Sequence, residues 1–141
     1  MTEFLAVDAG RFPLVVLTQT GVMDDAEFER FLATISEHLS RRASFAYAYH
    51  FAHTQRPPKG RVARQAEFVH ANREALAQHC LGIGFVFASP IFRFAISSFL
   101  LLQPLPMPYE VCRDLKQAVA WAERRLRSAG VAVPLAAPGV R

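Results

Sequence analysis

At 141 residues, with 52% apolar and 20% charged side chains, the chain is long enough to bury a core without staples and too apolar to be disordered. Two cysteines, Cys80 and Cys112, exclude a disulfide framework. No basic segment leading into an apolar stretch and a small-residue cleavage site opens the sequence, so the thiols are read as reduced and the compartment as cytoplasmic.

The net charge of +4 is unevenly spread. Residues 1–40 carry seven acids against two arginines, net −5, and residues 41–141 carry fourteen Lys and Arg against five acids, net +9. The division suits an acidic partner, and equally a set of solvated faces with acids gathered at the start of the first helix.

Phe4 to Asp8 predicts a short strand, Ala9-Gly10-Arg11 a turn, and Leu14 to Thr18 a second strand ending before Gly21. So short a link implies an antiparallel hairpin. Asp24 or Asp25 then caps a helix whose apolar positions Phe28, Phe31, Leu32, Ile35 and Leu39 step by three and four, and Arg41-Arg42 closes it. Phe45 to Phe51 is apolar almost throughout, as a central strand covered on both faces requires.

His53 to Gly60 is polar and contains Pro57-Pro58, so it reads as loop. Arg61 to His79 has a helical pattern with an inner face through Val62, Ala66, Val69, Leu76 and Cys80. Leu81 to Ala88 is a second buried strand. Ser89-Pro90 starts a helix over Ile91 to Gln103 that stops at Pro104. Tyr109 to Cys112 is a short strand, and Asp114 caps an amphipathic helix through Leu115, Val119, Trp121 and Leu126 that ends at Gly130. Residues 131–141, rich in Pro, Ala and Gly, read as a flexible tail after a single domain over 1–130.

The order β-β-α-β-α-β-α-β-α predicts an α/β fold: one mixed, mostly parallel five-stranded sheet with an opening β-hairpin, right-handed crossovers and about four helices. Over residues 4–128 this order, with segments such as Leu14 to Thr18, Gly82-Ile83-Gly84-Phe85-Val86-Phe87 and Ala118-Val119-Ala120-Trp121-Ala122, resembles the STAS domain family. The likeness extends to the broader SpoIIAA-like group with its SEC14-like lipid-binding variants. The resemblance implies a non-enzymatic module that docks on a partner or holds a small ligand. In STAS antagonists the phospho-acceptor is a Ser or Thr just after the central strand, usually beside Asp or Ser and followed by Gly. Here that junction reads His50-Phe51-Ala52-His53-Thr54-Gln55-Arg56-Pro57-Pro58-Lys59-Gly60. Thr54 is its one hydroxyl and lies in a longer, basic loop, so the phosphorylation switch does not carry over.

The residues themselves offer no P-loop, dinucleotide-binding glycine motif, nucleophile elbow or zinc-protease motif, and the expectation is no enzyme and no cofactor. Gly82-Ile83-Gly84 lies at the start of a strand and reads as close backbone packing. His50 and His53 lack a third ligand at metal-binding spacing, so no metal site is expected. Basic and aromatic residues are not interleaved on any strand surface, which argues against nucleic acid.

Two surfaces remain. Arg56, Lys59, Arg61, Arg64 and Arg73 flank the loop and the helix after it, and cations at a helix start oppose its dipole unless an anion is present. The first four are candidates for an anionic ligand or an acidic partner. The run Leu81 to Leu102 is long enough to raise the question of a membrane span, but Ser89-Pro90, Arg93, Ser97 and Ser98 break it into a strand and a core helix. That helix is apolar around most of its circumference. Phe92, Arg93, Ile96, Phe99, Leu100 and Leu101 are its candidate surface for a partner subunit or a lipid, unless the chain's own Pro104 to Pro108 segment and tail cover it. The leading expectation is a protein–protein interaction or regulatory module, a homodimer or a subunit of a larger assembly through the Ile91 to Leu102 helix; the alternative is a binder of an anionic amphiphile between the basic loop 56–64 and the apolar helix 91–102.

Overall fold

The computed structural model describes residues 4–52, 55, 57–102 and 104–135. Its elements are β1 (Leu5–Arg11), β2 (Leu14–Gln19), α1 (Asp25–Ser40), β3 (Phe45–Phe51), α2 (Arg61–Ala71), α3 (Arg73–His79), β4 (Cys80–Phe87), α4 (Pro90–Leu102), β5 (Tyr109–Cys112) and α5 (Leu115–Ser128). The five strands form one sheet in sequence order. β1 is antiparallel to β2, and every later pairing is parallel. The α/β class and the mixed five-stranded sheet with its opening hairpin are therefore as the pattern predicts.

Because each parallel crossover steps the same way across the sheet, the right-handed rule places its helices on one face. That face is aromatic: Phe45, Tyr47, Tyr49 and Phe51 of β3 and Phe85 and Phe87 of β4 alternate onto it and join the core residues of α1 to α4. The opposite face is built of small residues, with Ala46, Ala48 and Gly84 beneath Ala118, Ala122 and Leu126 of α5. A Cβ on Gly84 would lie 3.1 Å from the Ala118 carbonyl oxygen, and one on Gly82 would lie 2.6 Å from the Trp121 ring. These two glycines let α5 approach the strand backbone, which is the packing role read from the sequence.

Local details differ from the sequence expectation. The hairpin turn is not Ala9-Gly10-Arg11. β1 runs through those residues with a register shift between Asp8 and Arg11, and the chain reverses at the cis Phe12–Pro13 peptide. The Asp8 carboxylate accepts the Gly10 N–H at 2.9 Å, holding an irregularity inside the strand rather than a turn at its end. The long helix 61–79 is two helices, so the total is five. At Asn72 the side-chain amide and the backbone N–H both donate to the Phe68 carbonyl, and the backbone leaves the helical region at φ −112°, ψ 19°. Val62, expected on the inner face, is 44% exposed, whereas Phe68 is seated in the core.

The helix ends follow their chemistry. Asp24 caps α1 through a capping box in which its carboxylate accepts the Glu27 N–H and Glu27 accepts the Asp24 N–H. The other Glu27 oxygen accepts the Phe4 N–H at 3.1 Å, tying the start of the sheet to the helix. α5 closes on Gly130 at φ +78°, with Gly130 N–H to Arg127 and Val131 N–H to Leu126, the paired bonds of a Schellman motif. Beyond it, Val133 is buried against the α5 face and Arg11 Nε donates to the Pro134 carbonyl at 2.8 Å, so residues 131–135 of the segment read as tail are seated on the domain. Among the described residues no helix is long and apolar enough to cross a membrane. The 13 residues of α4 rise about 20 Å against a hydrocarbon core of roughly 30 Å.

Candidate functional site

In an open parallel sheet the strand carboxyl ends and the helix amino ends meet along one edge, and that edge is where ligands bind. Here β2 ends at Gln19, β3 at Phe51 and β4 at Phe87, while α1, α2 and α4 begin nearby. Between them lies a cavity of about 860 Å³, at the upper end of the size of small-molecule sites. Its inner wall is the aromatic sheet face with Phe28 and Phe31 of α1, and its outer wall is Phe92, Ile96 and Leu100 of α4. A second space of about 70 Å³ shares Phe31, Tyr49, Phe51 and Phe85 with it and reaches toward Leu76 and Met107.

The rings pack as a continuous surface. Tyr49 and Phe51 stack at 4.1 Å, Phe51 and Phe87 at 5.2 Å, and Phe92 of α4 meets Phe87 at 5.5 Å. The positions i, i+4 and i+8 of α4 thus face the sheet, which divides the helix. Phe94, Leu101 and Leu102, which do not line the cavity, are 74–82% exposed on its outer side.

The polar members of the cavity wall are few. Gln19 is buried, its Oε1 accepting the Tyr49 hydroxyl at 2.7 Å and its Nε2 donating to the Gly21 carbonyl at 2.9 Å. Burial raises the Tyr49 hydroxyl well above the ordinary phenol range, so it stays protonated. Arg61, the first residue of α2, is 8% exposed, lies 4.5 Å over the Phe28 ring and donates from Nη2 to the Asp25 carboxylate at 3.1 Å. Gln65, His70 and Arg73 stand at the exposed rim. No carboxylate or thiol among the described residues lines the cavity, so its charged side chains, Arg61 and Arg73, make it electropositive.

The structure gathers Arg61, Phe92, Ile96 and Leu100 around this one space. It leaves the other sequence candidates elsewhere. Arg64 points to α1, with two 3.0 Å contacts to Glu29 and one of 3.2 Å to Glu67. Lys59, Arg93 and Leu101 are exposed outside the cavity, while Arg56, His53 and Thr54 and the side chain of Phe99 lie outside the described residues. The cations at the α2 start are thus met in part by the acids of α1, and the hydrogen bond from Arg64 lowers the Glu29 carboxyl below its ordinary value. Sequence reasoning missed Gln19, Tyr49 and Gln65, whereas Arg73 belongs to the basic segment that the sequence singles out. A polar residue ending a buried strand, as Gln19 does, is the signal that could have found the first of these.

Cys80, Cys112 and His38, away from the cavity, are muted by burial. Burial pushes the Cys80 thiol up to about 12 and raises Cys112 as well. His38 is buried with Nδ1 2.7 Å from the Tyr47 hydroxyl, and burial, with Arg41 nearby, lowers its pKa. Among the described residues no group of three or more His, Cys, Asp or Glu is placed to hold a metal ion. No protein-family model, curated protein or solved structure matches the chain.

Proposed function

We propose that this domain is a ligand-binding protein of STAS-like fold that holds an anionic amphiphile, its apolar part in the cavity and its head at Arg61 and Arg73. The observation that carries the reading is the chemistry of the cavity: ring and aliphatic walls surround about 860 Å³, and among the described residues two arginines and no acid line it. A guanidinium held in place offers paired donors to a carboxylate or phosphate. The walls bring to the ligand the stabilisation of apolar area leaving water. The proposed setting is the cytoplasm, in keeping with two buried, free thiols. Native mass spectrometry of freshly purified protein, followed by titration with a long-chain fatty acid, tests the reading. A bound acid, weakened in Arg61→Ala/Arg73→Ala, is the expected result. Protein that takes up neither fatty acid nor lysophospholipid overturns it.

The outer side of α4 favours a second reading, self-association as a homodimeric interaction module. Leu102 is 82% exposed there, Leu101 79% and Phe94 74%, an apolar patch of the kind that marks an interaction surface. Light scattering at micromolar concentration separates the two. A dimer dissociated by Phe94→Glu/Leu101→Glu supports the second, and a monomer unchanged by them removes it.

A further inference from the structure

One buried polar group of the cavity wall has hydrogen-bonding capacity that the chain does not use. Gln19 is 7% exposed and lines the cavity. Its amide is fixed at both ends, with Oε1 accepting from Tyr49 and Nε2 donating to Gly21. A primary amide carries two N–H donors, and the second one of Gln19 meets no acceptor among the described residues. Tyr49, whose hydroxyl donates to Gln19, keeps its oxygen lone pairs as acceptors. It stays neutral because burial holds its proton on. Gln19 and Tyr49 stand on adjacent parallel strands, β2 and β3, two register positions apart. The sheet wall of the cavity, otherwise formed by Phe51 and Phe85, therefore holds the Gln19 amide and the Tyr49 hydroxyl side by side.

A buried donor without a partner is costly, and native interiors rarely leave one so. An occupant made wholly of hydrocarbon would keep the Gln19 N–H both dry and unpaired. An occupant with an oxygen at that height would satisfy it. Resting on the reading of the cavity as an amphiphile site, we infer that the ligand carries a hydroxyl or keto oxygen on its apolar portion, apart from its anionic head, and that Gln19 Nε2 donates to it. A hydroxyl also returns a proton to the Tyr49 oxygen, whereas a keto oxygen uses the amide alone.

The test compares stearic acid with its isomers hydroxylated or oxidised to a ketone at successive mid-chain carbons, by calorimetric titration into the full-length protein. At least one oxygenated isomer is expected to bind roughly tenfold tighter than stearic acid, the scale of one well-made buried hydrogen bond. Gln19→Leu should erase that preference while still binding stearic acid, and Tyr49→Phe should reduce the preference for the hydroxyl more than for the ketone. If the wild type binds stearic acid and all its isomers alike, water suffices for Gln19 and the inference is overturned while the amphiphile reading stands. A preference that survives Gln19→Leu also overturns it. If the wild type binds none of these acids, and no lysophospholipid, both fall together. The wild-type comparison needs no variant to fold.

Discussion

The guanidinium of Arg61 lies 4.5 Å above the Phe28 ring while its Nη2 reaches Asp25 at 3.1 Å. The two partners are unlike. Phe28 is buried in the core, whereas the Asp25 side chain is 100% exposed. The ring fixes where the cation sits, and the carboxylate, surrounded by water and screened by salt, is a counter-ion that a ligand can displace.

Asp25→Asn should therefore leave the urea midpoint of unfolding where it is and tighten fatty-acid binding, because the competing carboxylate is gone. Arg61→Met, which keeps an unbranched side chain over Phe28, should weaken that binding by roughly tenfold or more. Calorimetric titration and urea denaturation measure the two effects. A loss of binding in Asp25→Asn would count against a displaceable counter-ion.

The α5 face predicts an order among glycine substitutions. A Cβ on Gly84 meets the Ala118 backbone at 3.1 to 3.2 Å, so Gly84→Ala has to move the helix and should cost about 1–3 kcal/mol. A Cβ on Gly82 meets the far end of the Trp121 ring, a side chain that can turn away. Gly82→Ala should cost less and instead change the emission of Trp121, the single tryptophan of the chain. Equal costs with unchanged fluorescence would contradict this packing.

His38 makes stability depend on pH. Its pKa is lowered from 6.5 in the folded state by burial, so the unfolded chain binds the proton more readily. Where the unfolded chain carries more protons, stability rises with pH. The contribution is full above pH 6.5 and is lost as pH falls below it toward the folded value. His38→Gln, which keeps a partner for the Tyr47 hydroxyl, should flatten the stability–pH curve on the acid side of neutrality, measured by urea denaturation at several pH values. A slope identical to wild type would show that His38 does not carry it.

Glu27 serves two N–H groups, Asp24 within the capping box and Phe4 at the head of the sheet. Asp24→Ala should cost about 1 kcal/mol, the usual worth of an N-cap. Glu27→Ala should cost more, about 1.5–3 kcal/mol, because two donors in a partly buried site lose their acceptor together. Thermal unfolding of the two variants decides whether the order holds.

Much of the fold was legible in local patterns. The steps of three and four in α1, the unbroken apolar runs of β3 and β4, Asp24, Asp114 and Pro104 as boundaries, and the order of strands and helices all depend on neighbours in the chain. So did the close-packing role of Gly82 and Gly84. The break at Asn72 was harder to see, since a helical pattern runs through it and only the competition for the Phe68 carbonyl divides it. The hairpin turn was misplaced for a similar reason: Gly10 looks like a turn, but the Asp8 carboxylate holds it within the strand.

The candidate site divides the same way. The sequence alone determined that a basic segment precedes α2 and that α4 has more apolar side chains than one packed face needs. It could not say which of them meet, because residues such as Gln19, Tyr49, Arg61 and Phe92 come from four separate elements and converge where parallel strands end. Tertiary structure alone decided that Arg64 spends its charge on Glu29 while Arg61 stays at the cavity, and that Phe92, Ile96 and Leu100 turn inward while Phe94 and Leu101 do not. The physical reason is range. Secondary structure answers to residues a few positions away, whereas a cavity and the partners of its charges are set by how whole elements pack.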